Sequence, residues 1–173
     1  MCIRDSCLEM AEALAKARPG WHITWTLIGD GPELPGLRAK VQENRRDNLT
    51  VDLKGPLPHT QVMDYLAANT VDWLMLLSRH EGFGLVLAEA MAHGIPAIAT
   101  DTGGIGESVD DNTGLLLARD PEPEEFVRGL MPYLDSRARY EALRQGARRA
   151  VEEKFDSRLL RREWAEMLKS LLP

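Results

Sequence analysis

Cysteine is almost missing from this chain: its 173 residues include only two, Cys2 and Cys7. Two thiols five apart near one end make neither a disulfide framework nor the ligand spacing of a zinc site, so neither is given a role. Aromatic residues are 6% of the sequence, and Trp21, Trp25, Trp73 and Trp164 fall at strand or stripe positions. There they read as core or interface, not as a base-stacking platform. No apolar run approaches the roughly 20 residues that a membrane-spanning helix needs; Val71 to Leu77, among the longest, is broken by Asp72. The first six residues lack the apolar stretch and cleavage site of a secretory signal, so a cytoplasmic address is the expectation. The histidines at 22, 59, 80 and 93 show no metal-ligand spacing, and only His80 falls beside the stretch singled out below.

The chain has the length of one ordinary domain with a substantial core. Its net charge of -6 argues against non-specific nucleic-acid binding. From Arg128 to the end, 11 Lys and Arg face 7 Asp and Glu, a net +4, which leaves -10 on residues 1–127. A basic helical end reads first as an ordinary solvated face, and it also suits an anionic membrane surface or a partner domain.

Helical and strand patterns alternate along the chain. Leu8 to Ala17 predicts a helix stopped by Pro19-Gly20, and Ile23 to Ile28 a strand; Glu33 to Arg46 is helical, and Leu49 to Leu53 a strand. A Gly55-Pro56-Leu57-Pro58 turn leads to a helix from about Thr60 to Ala68. Val71 to Leu77 reads as a strand buried on both faces of a parallel sheet. Gly84 to His93 is helical, Ile95 to Thr100 a strand that tolerates Pro96 at its start, and Gly114 to Leu117 a last short strand. Thr102-Gly103-Gly104 makes a flexible turn. The remainder is helical, opened by Asp120-Pro121 and interrupted near Pro132 and Asp156. Its stripe of Leu160, Trp164, Met167, Leu168 and Leu171 packs one face on something. This alternation predicts an α/β fold, a doubly wound Rossmann-like parallel sheet with ligands at the carboxyl ends of its strands.

The chemistry concentrates between Ser78 and Ala92. The helix from Leu85 to Ala92 is apolar except at Glu89, so it is expected to be buried almost all round, and Glu89 then needs a partner or a ligand. Glu81 lies in the loop leaving the preceding strand, and Gly82 and Gly84 let backbone approach a ligand. A helix starting near Gly84 turns free N–H groups into the same crevice, which suits a phosphate. Carboxylates accept from hydroxyls while backbone N–H groups donate to phosphate oxygens; a nucleotide-sugar has both. For Glu89 a carboxylate paired within the fold is the plain alternative. Gly29-Asp30-Gly31-Pro32-Glu33 is a poor dinucleotide fingerprint, with Leu34 at the third glycine position, and reads as a structural turn.

Together these segments resemble the C-terminal, donor-binding domain of retaining glycosyltransferases with the GT-B fold, over roughly Leu8 to Leu172. The likeness rests on Gly29-Asp30-Gly31-Pro32-Glu33, Leu53-Lys54-Gly55 with Leu57-Pro58, and Glu81-Gly82-Phe83-Gly84 continuing to Glu89-Ala90-Met91-Ala92. Gly94-Ile95-Pro96, Ala99-Thr100-Asp101-Thr102-Gly103-Gly104, Glu107 and Thr113-Gly114-Leu115-Leu116 complete it. In that order and spacing the set is highly specific.

The resemblance implies that Glu81 contacts donor sugar hydroxyls and Glu89 the ribose hydroxyls. It further implies that backbone N–H groups around Phe83, Gly84, Leu85 and Val86 hold the sugar and diphosphate, with Gly103 and Gly104 also in the donor site. Gly55, Leu57 and Pro58 would border the base. It implies transfer of a hexosyl unit without metal or cofactor, to an acceptor glycan or lipid held by an N-terminal domain. The setting would be cytoplasmic, with peripheral association at the inner membrane face.

Two departures stand out. Gly106 occupies a position where the family commonly has proline, and no strand with an Arg and a Lys for the diphosphate precedes the first helix. The expectation is therefore a chain lacking its first, central strand: a non-native or disordered start at 1–6, then an N-terminally truncated donor domain at 7–173, inactive alone. A sugar-nucleotide epimerase relative and a non-catalytic nucleotide-binding module are the alternatives.

Overall fold

The computed structural model describes residues 3–171, with the side chains of residues 3, 4, 157–160, 163, 170 and 171 outside the described set. The first helix, α1 (Ile3–Ala17), ends just before Pro19-Gly20. It starts five residues earlier than the pattern predicts, so the expected loose start at 1–6 is helical from Ile3; Met1 and Cys2 lie outside the described residues. The reason is local. Nothing between Ile3 and Ser6 breaks a helix, Asp5 suits the positive end of the dipole, and its Oδ2 pairs with Lys40 Nζ at 3.0 Å.

Five short strands alternate with helices: β1 (Ile23–Ile28), α2 (Leu34–Glu43), β2 (Leu49–Gly55), α3 (His59–Ala68), β3 (Leu74–Leu76), α4 (Leu85–Ala92), β4 (Ala97–Thr100) and β5 (Gly114–Leu117). The strands form two parallel sheets, β2-β1 and β3-β4-β5. Ile23 and Gly29 donate their N–H groups toward β2, to the carbonyls of Asn48 and Gly55, and Leu74 donates to Pro96 at the start of β4. Ladder alternation therefore turns the backbone of Thr24 and Thr26 on β1, and of Met75 on β3, to edges with no strand beside them among the described residues. In a 3-2-1-4-5-6 order those are the edges that flank the first strand. The expected strand from Val71 to Leu77 shortens accordingly to Leu74–Leu76, and its residues are only partly buried. An edge strand has one row of partners and gains less from burial than a central one.

Strand β4 is buried throughout, and its side chains alternate between two cores. Ile98 joins α1, α5 and Trp25 on one face, with Cys7, Met10, Leu37, Leu117 and Phe126. Ala97 and Ala99 face α4 and α6 on the other, with Leu87, Met91 and Ala147. Both faces of the sheet are thus covered, as a doubly wound fold requires. The small alanines let two helices approach this face closely.

Three helices close the chain: α5 (Pro123–Leu134), α6 (Arg137–Lys154) and α7 (Ser157–Leu171). The expected interruption near Pro132 is instead at Asp135-Ser136, because a proline in the last turn forfeits one hydrogen bond without stopping the helix, while Ser136 caps the next one by accepting from Arg139 N–H at 3.4 Å. On α7, Trp164, Met167 and Leu168 are 61, 45 and 54% exposed, so that stretch of the stripe is largely open to solvent; the side chains of Leu160 and Leu171 lie outside the described residues.

Tyr140 on α6 ties this end to the sheet. Its hydroxyl donates to the Asp72 carbonyl at 2.9 Å and approaches Oδ1 at 3.2 Å, with Trp73 tilted against its ring.

Candidate functional site

The loops at the carboxyl ends of β2, β3 and β4 assemble the candidate site. Thr100 and Thr102, at the end of β4, both donate hydroxyl protons to the buried Ser78 carbonyl, at 2.6 and 3.0 Å. The loop after β3 is thereby tied to the loop after β4. Gly104 N–H adds a bond to the Gly82 carbonyl at 2.8 Å. At Gly103, whose φ is +57°, a Cβ would lie 1.7 Å from the Glu81 carbonyl oxygen, and at Gly104 it would lie 2.6 Å from that of Gly82. The Thr102-Gly103-Gly104 segment, expected to be a flexible turn, is thus a fixed one: its glycines serve contact between two backbones.

Glu81 is partly exposed, and its Oε1 accepts from the Gly82 N–H at 3.2 Å. Phe83 turns its ring to Phe155, edge to face at 5.0 Å, which anchors the loop on the end of α6. Gly84 is the N-cap of α4 in the left-handed conformation, φ +71°. No side chain caps this end, so the N–H groups of the first turn, at Leu85 and Val86, have no acceptor within the helix. Leu85 is 70% exposed, which corrects the expectation of a helix buried almost all round: Leu87, Ala90 and Met91 are buried, while the N-terminal turn opens to solvent.

Glu89 lies further along α4 with its side chain 28% exposed. Its Oε1 is 2.8 Å from Nε2 of His59, the first residue of α3. This contact carries α4 to the turn formed by Gly55, Leu57 and Pro58, thirty residues away in sequence. Gly29 N–H, from the preceding loop, bonds the Gly55 carbonyl at 2.8 Å, so the Gly29-Asp30-Gly31 turn lies at the same end. Beside it Lys54 pairs with Asp52 at 2.8 Å; that hydrogen bond raises its pKa above the ordinary lysine value.

His59 is the residue that the sequence pattern missed; His80 had stood alone beside the crevice. Nothing in the chain between 59 and 89 signals the pairing. A partly open cavity of about 170 Å³ lies beside these loops, between Ser6, Leu77, Arg79, Thr100 and Arg119, where Arg79 pairs with Asp120 at 3.1 Å. Glu81 and Glu89 do not line it. Among the described residues no group of three or more His, Cys, Asp or Glu could hold a metal ion.

A match to the family of glycosyl transferases group 1 covers residues 5–150. The chain belongs to that family. A lipopolysaccharide core biosynthesis mannosyltransferase, LpsB of Rhizobium meliloti, is 30% identical over 141 residues, which are 80% of this chain and 39% of the relative. N-acetyl-alpha-D-glucosaminyl L-malate synthase of Bacillus anthracis is 30% identical over 149 residues, 86% of this chain and 38% of that protein. This group 1 chain thus spans roughly two-fifths of the length of these two relatives.

Solved structures agree at the level of fold. The C-terminal domain of a group 1 glycosyl transferase, LpcC of Francisella tularensis, superposes with a TM-score of 0.70 at 24% identity, over 86% of this chain and 77% of that one. HepE of Anabaena, solved with UDP and glucose, gives 0.72 at 23% identity over 94% and 44%. Among the described residues no helix is long and apolar enough to cross a membrane.

Proposed function

We propose that this chain is the nucleotide-sugar-binding domain of a retaining, metal-independent glycosyltransferase. The observation that carries the reading is the contact of Glu89 with His59, which partners the carboxylate within the fold through one oxygen only. It gathers a carboxylate, an uncapped helix N-terminus and the Gly55 to Pro58 turn at one end of the sheet. In this reading Glu89 accepts from the ribose hydroxyls and Glu81 from the sugar hydroxyls. The N–H groups of Phe83, Gly84, Leu85 and Val86 hold the sugar and diphosphate, and Gly55, Leu57 and Pro58 border the base. Gly103 and Gly104 act by holding the Glu81 loop in place.

Retention then needs no protein nucleophile. The bond from the anomeric carbon to the phosphate oxygen breaks, and the departing phosphate takes the proton of the acceptor hydroxyl as that hydroxyl attacks on the same face. The domain contributes position and charge stabilisation. The acceptor, a glycan or lipid, binds to an N-terminal domain. The unpaired edges of β1 and β3 support a further parallel strand between them in the complete enzyme, so that residues 7–173 form an N-terminally truncated donor domain.

The exposed Trp164, Met167 and Leu168 on α7, with Arg161, Arg162 and Lys169 on the same helix, support peripheral association at the inner face of the cytoplasmic membrane.

Calorimetric titration with UDP-glucose, GDP-mannose and ADP-glucose tests the reading. Saturable binding of one of them is expected, with no sugar transfer by the chain alone. Binding of none, or a clear transferase rate from the 173 residues, would overturn it.

A further inference from the structure

We infer that His59 is a positioning residue for the nucleotide-sugar site, holding the Glu89 carboxylate through one oxygen so that the other is presented to the ligand's hydroxyls. The inference rests on the proposed role of Glu89. An ionised carboxylate only accepts, so the 2.8 Å contact requires the proton on His59 Nε2. Oε1 is engaged by that N–H, and the Glu89 side chain makes no other hydrogen bond among the described residues. Glu89 is the one charged residue of α4, and a glutamate with 28% exposure otherwise has several rotamers available. His59 selects one of them.

Packing holds the donor in reach. His59, Met63 and Leu66 are spaced i, i+4, i+7 and share one stripe of α3. Leu66 and Met63 pack in the cluster that includes Ala90, the neighbour of Glu89, and Ile95. The two helices thus meet through an apolar contact, and the imidazole extends that contact to its solvent end. Pro58 starts α3 by accepting from the N–H groups of Gln61 and Val62 at 2.9 and 3.1 Å, which sets His59 at the first helical position. His59 itself is 68% exposed, so the pair sits at the mouth of the site, where a ligand can reach it.

The test titrates the full chain and its His59→Ala, His59→Gln and Glu89→Ala variants with whichever of UDP-glucose, GDP-mannose or ADP-glucose binds, and with the same nucleoside diphosphate lacking its ribose hydroxyls. His59→Ala is expected to weaken the nucleotide-sugar roughly tenfold. His59→Gln, whose amide nitrogen takes the place of Nε2, is expected to restore most of the affinity, and thermal unfolding of all three variants to stay near wild type. Against the dideoxy nucleotide the effect of His59→Ala is expected to vanish. If Glu89→Ala weakens binding and His59→Ala does not, the positioning role is wrong and the reading of Glu89 stands. Equal losses on both ligands overturn the inference, since His59 then acts without the ribose. No loss in either variant removes the role of Glu89 and this inference with it.

Discussion

A methyl group placed on Gly103 would lie 1.7 Å from the carbonyl oxygen of Glu81. The two loops that carry Glu81 and the end of β4 are therefore in backbone contact, and the Ser78 carbonyl between the hydroxyls of Thr100 and Thr102 locks the same junction from below. The backbone at Glu81 is thus set by packing, the kind of preorganisation that the proposed donor site would use.

Gly103→Ala is expected to displace the Glu81-Gly82 backbone, because neither loop can yield without breaking the Gly104 to Gly82 bond. With the positive φ added, the loss of stability is expected at about 1 to 3 kcal/mol. Urea unfolding measures it. A variant as stable as the wild type with unchanged sugar-nucleotide affinity would show that the two loops move apart freely.

Glu89→Ala removes the acceptor at the proposed ribose position. Affinity for the nucleotide-sugar is expected to fall by about 1 to 3 kcal/mol, roughly 5- to 150-fold. Calorimetry checks it, and no change would remove the ribose assignment.

Tyr140 sets a pH dependence. Burial first, and then the Asp72 charge beside it, push its phenol above the ordinary value of 10.0. The folded chain therefore keeps a proton that the unfolded chain releases near pH 10, and stability from this group is full below that pH and is lost as pH rises beyond it. Tyr140→Phe removes the bond to the Asp72 carbonyl at a cost of about 1 kcal/mol at neutral pH. Between pH 9 and roughly 11 the wild type is expected to lose stability more steeply than the variant. Parallel curves in denaturant titrations would contradict the burial of this phenol.

The two open strand edges predict an alternation in amide exchange. Thr24, Thr26 and Met75 face edges that have no strand partner among the described residues, whereas Trp25 and Leu76 donate within the ladders. Exchange at the first three is expected to be the faster, and a chain extended by a strand that fills the space is expected to slow it. Uniform protection along β1 in the 173-residue chain would mean that the edge is already covered.

Trp164 reports on the membrane proposal. Vesicles rich in anionic lipid are expected to shift tryptophan emission to the blue, with reversal by salt and loss in Trp164→Ala. No response would leave α7 as a solvated or partner-facing helix.

Element order and the main motif were legible because each rests on local rules. The Ile23–Ile28 and Gly114–Leu117 strands match their apolar patterns end for end, and the left-handed glycine at 84 starts α4 one residue later. What failed was long-range. The run from Val71 to Leu77 looks central by composition, yet only three of its residues form a strand, because composition does not say whether a partner strand is present on the far side. The stripe of α7 reads as a buried face, and a stripe carries no information about what covers it. His59 is not legible in the sequence because its significance depends on a residue thirty positions on.

The sequence alone determined the α/β alternation, the family motifs and the carboxylates at 81 and 89, since short-range periodicity and glycine placement encode them directly. Tertiary structure decided the rest: the split into two sheets, the backbone contact of Gly103 with Glu81, and the partner of Glu89. These depend on which surfaces meet when helices pack on a sheet, and a burial energy summed over distant residues leaves no mark at any one of them.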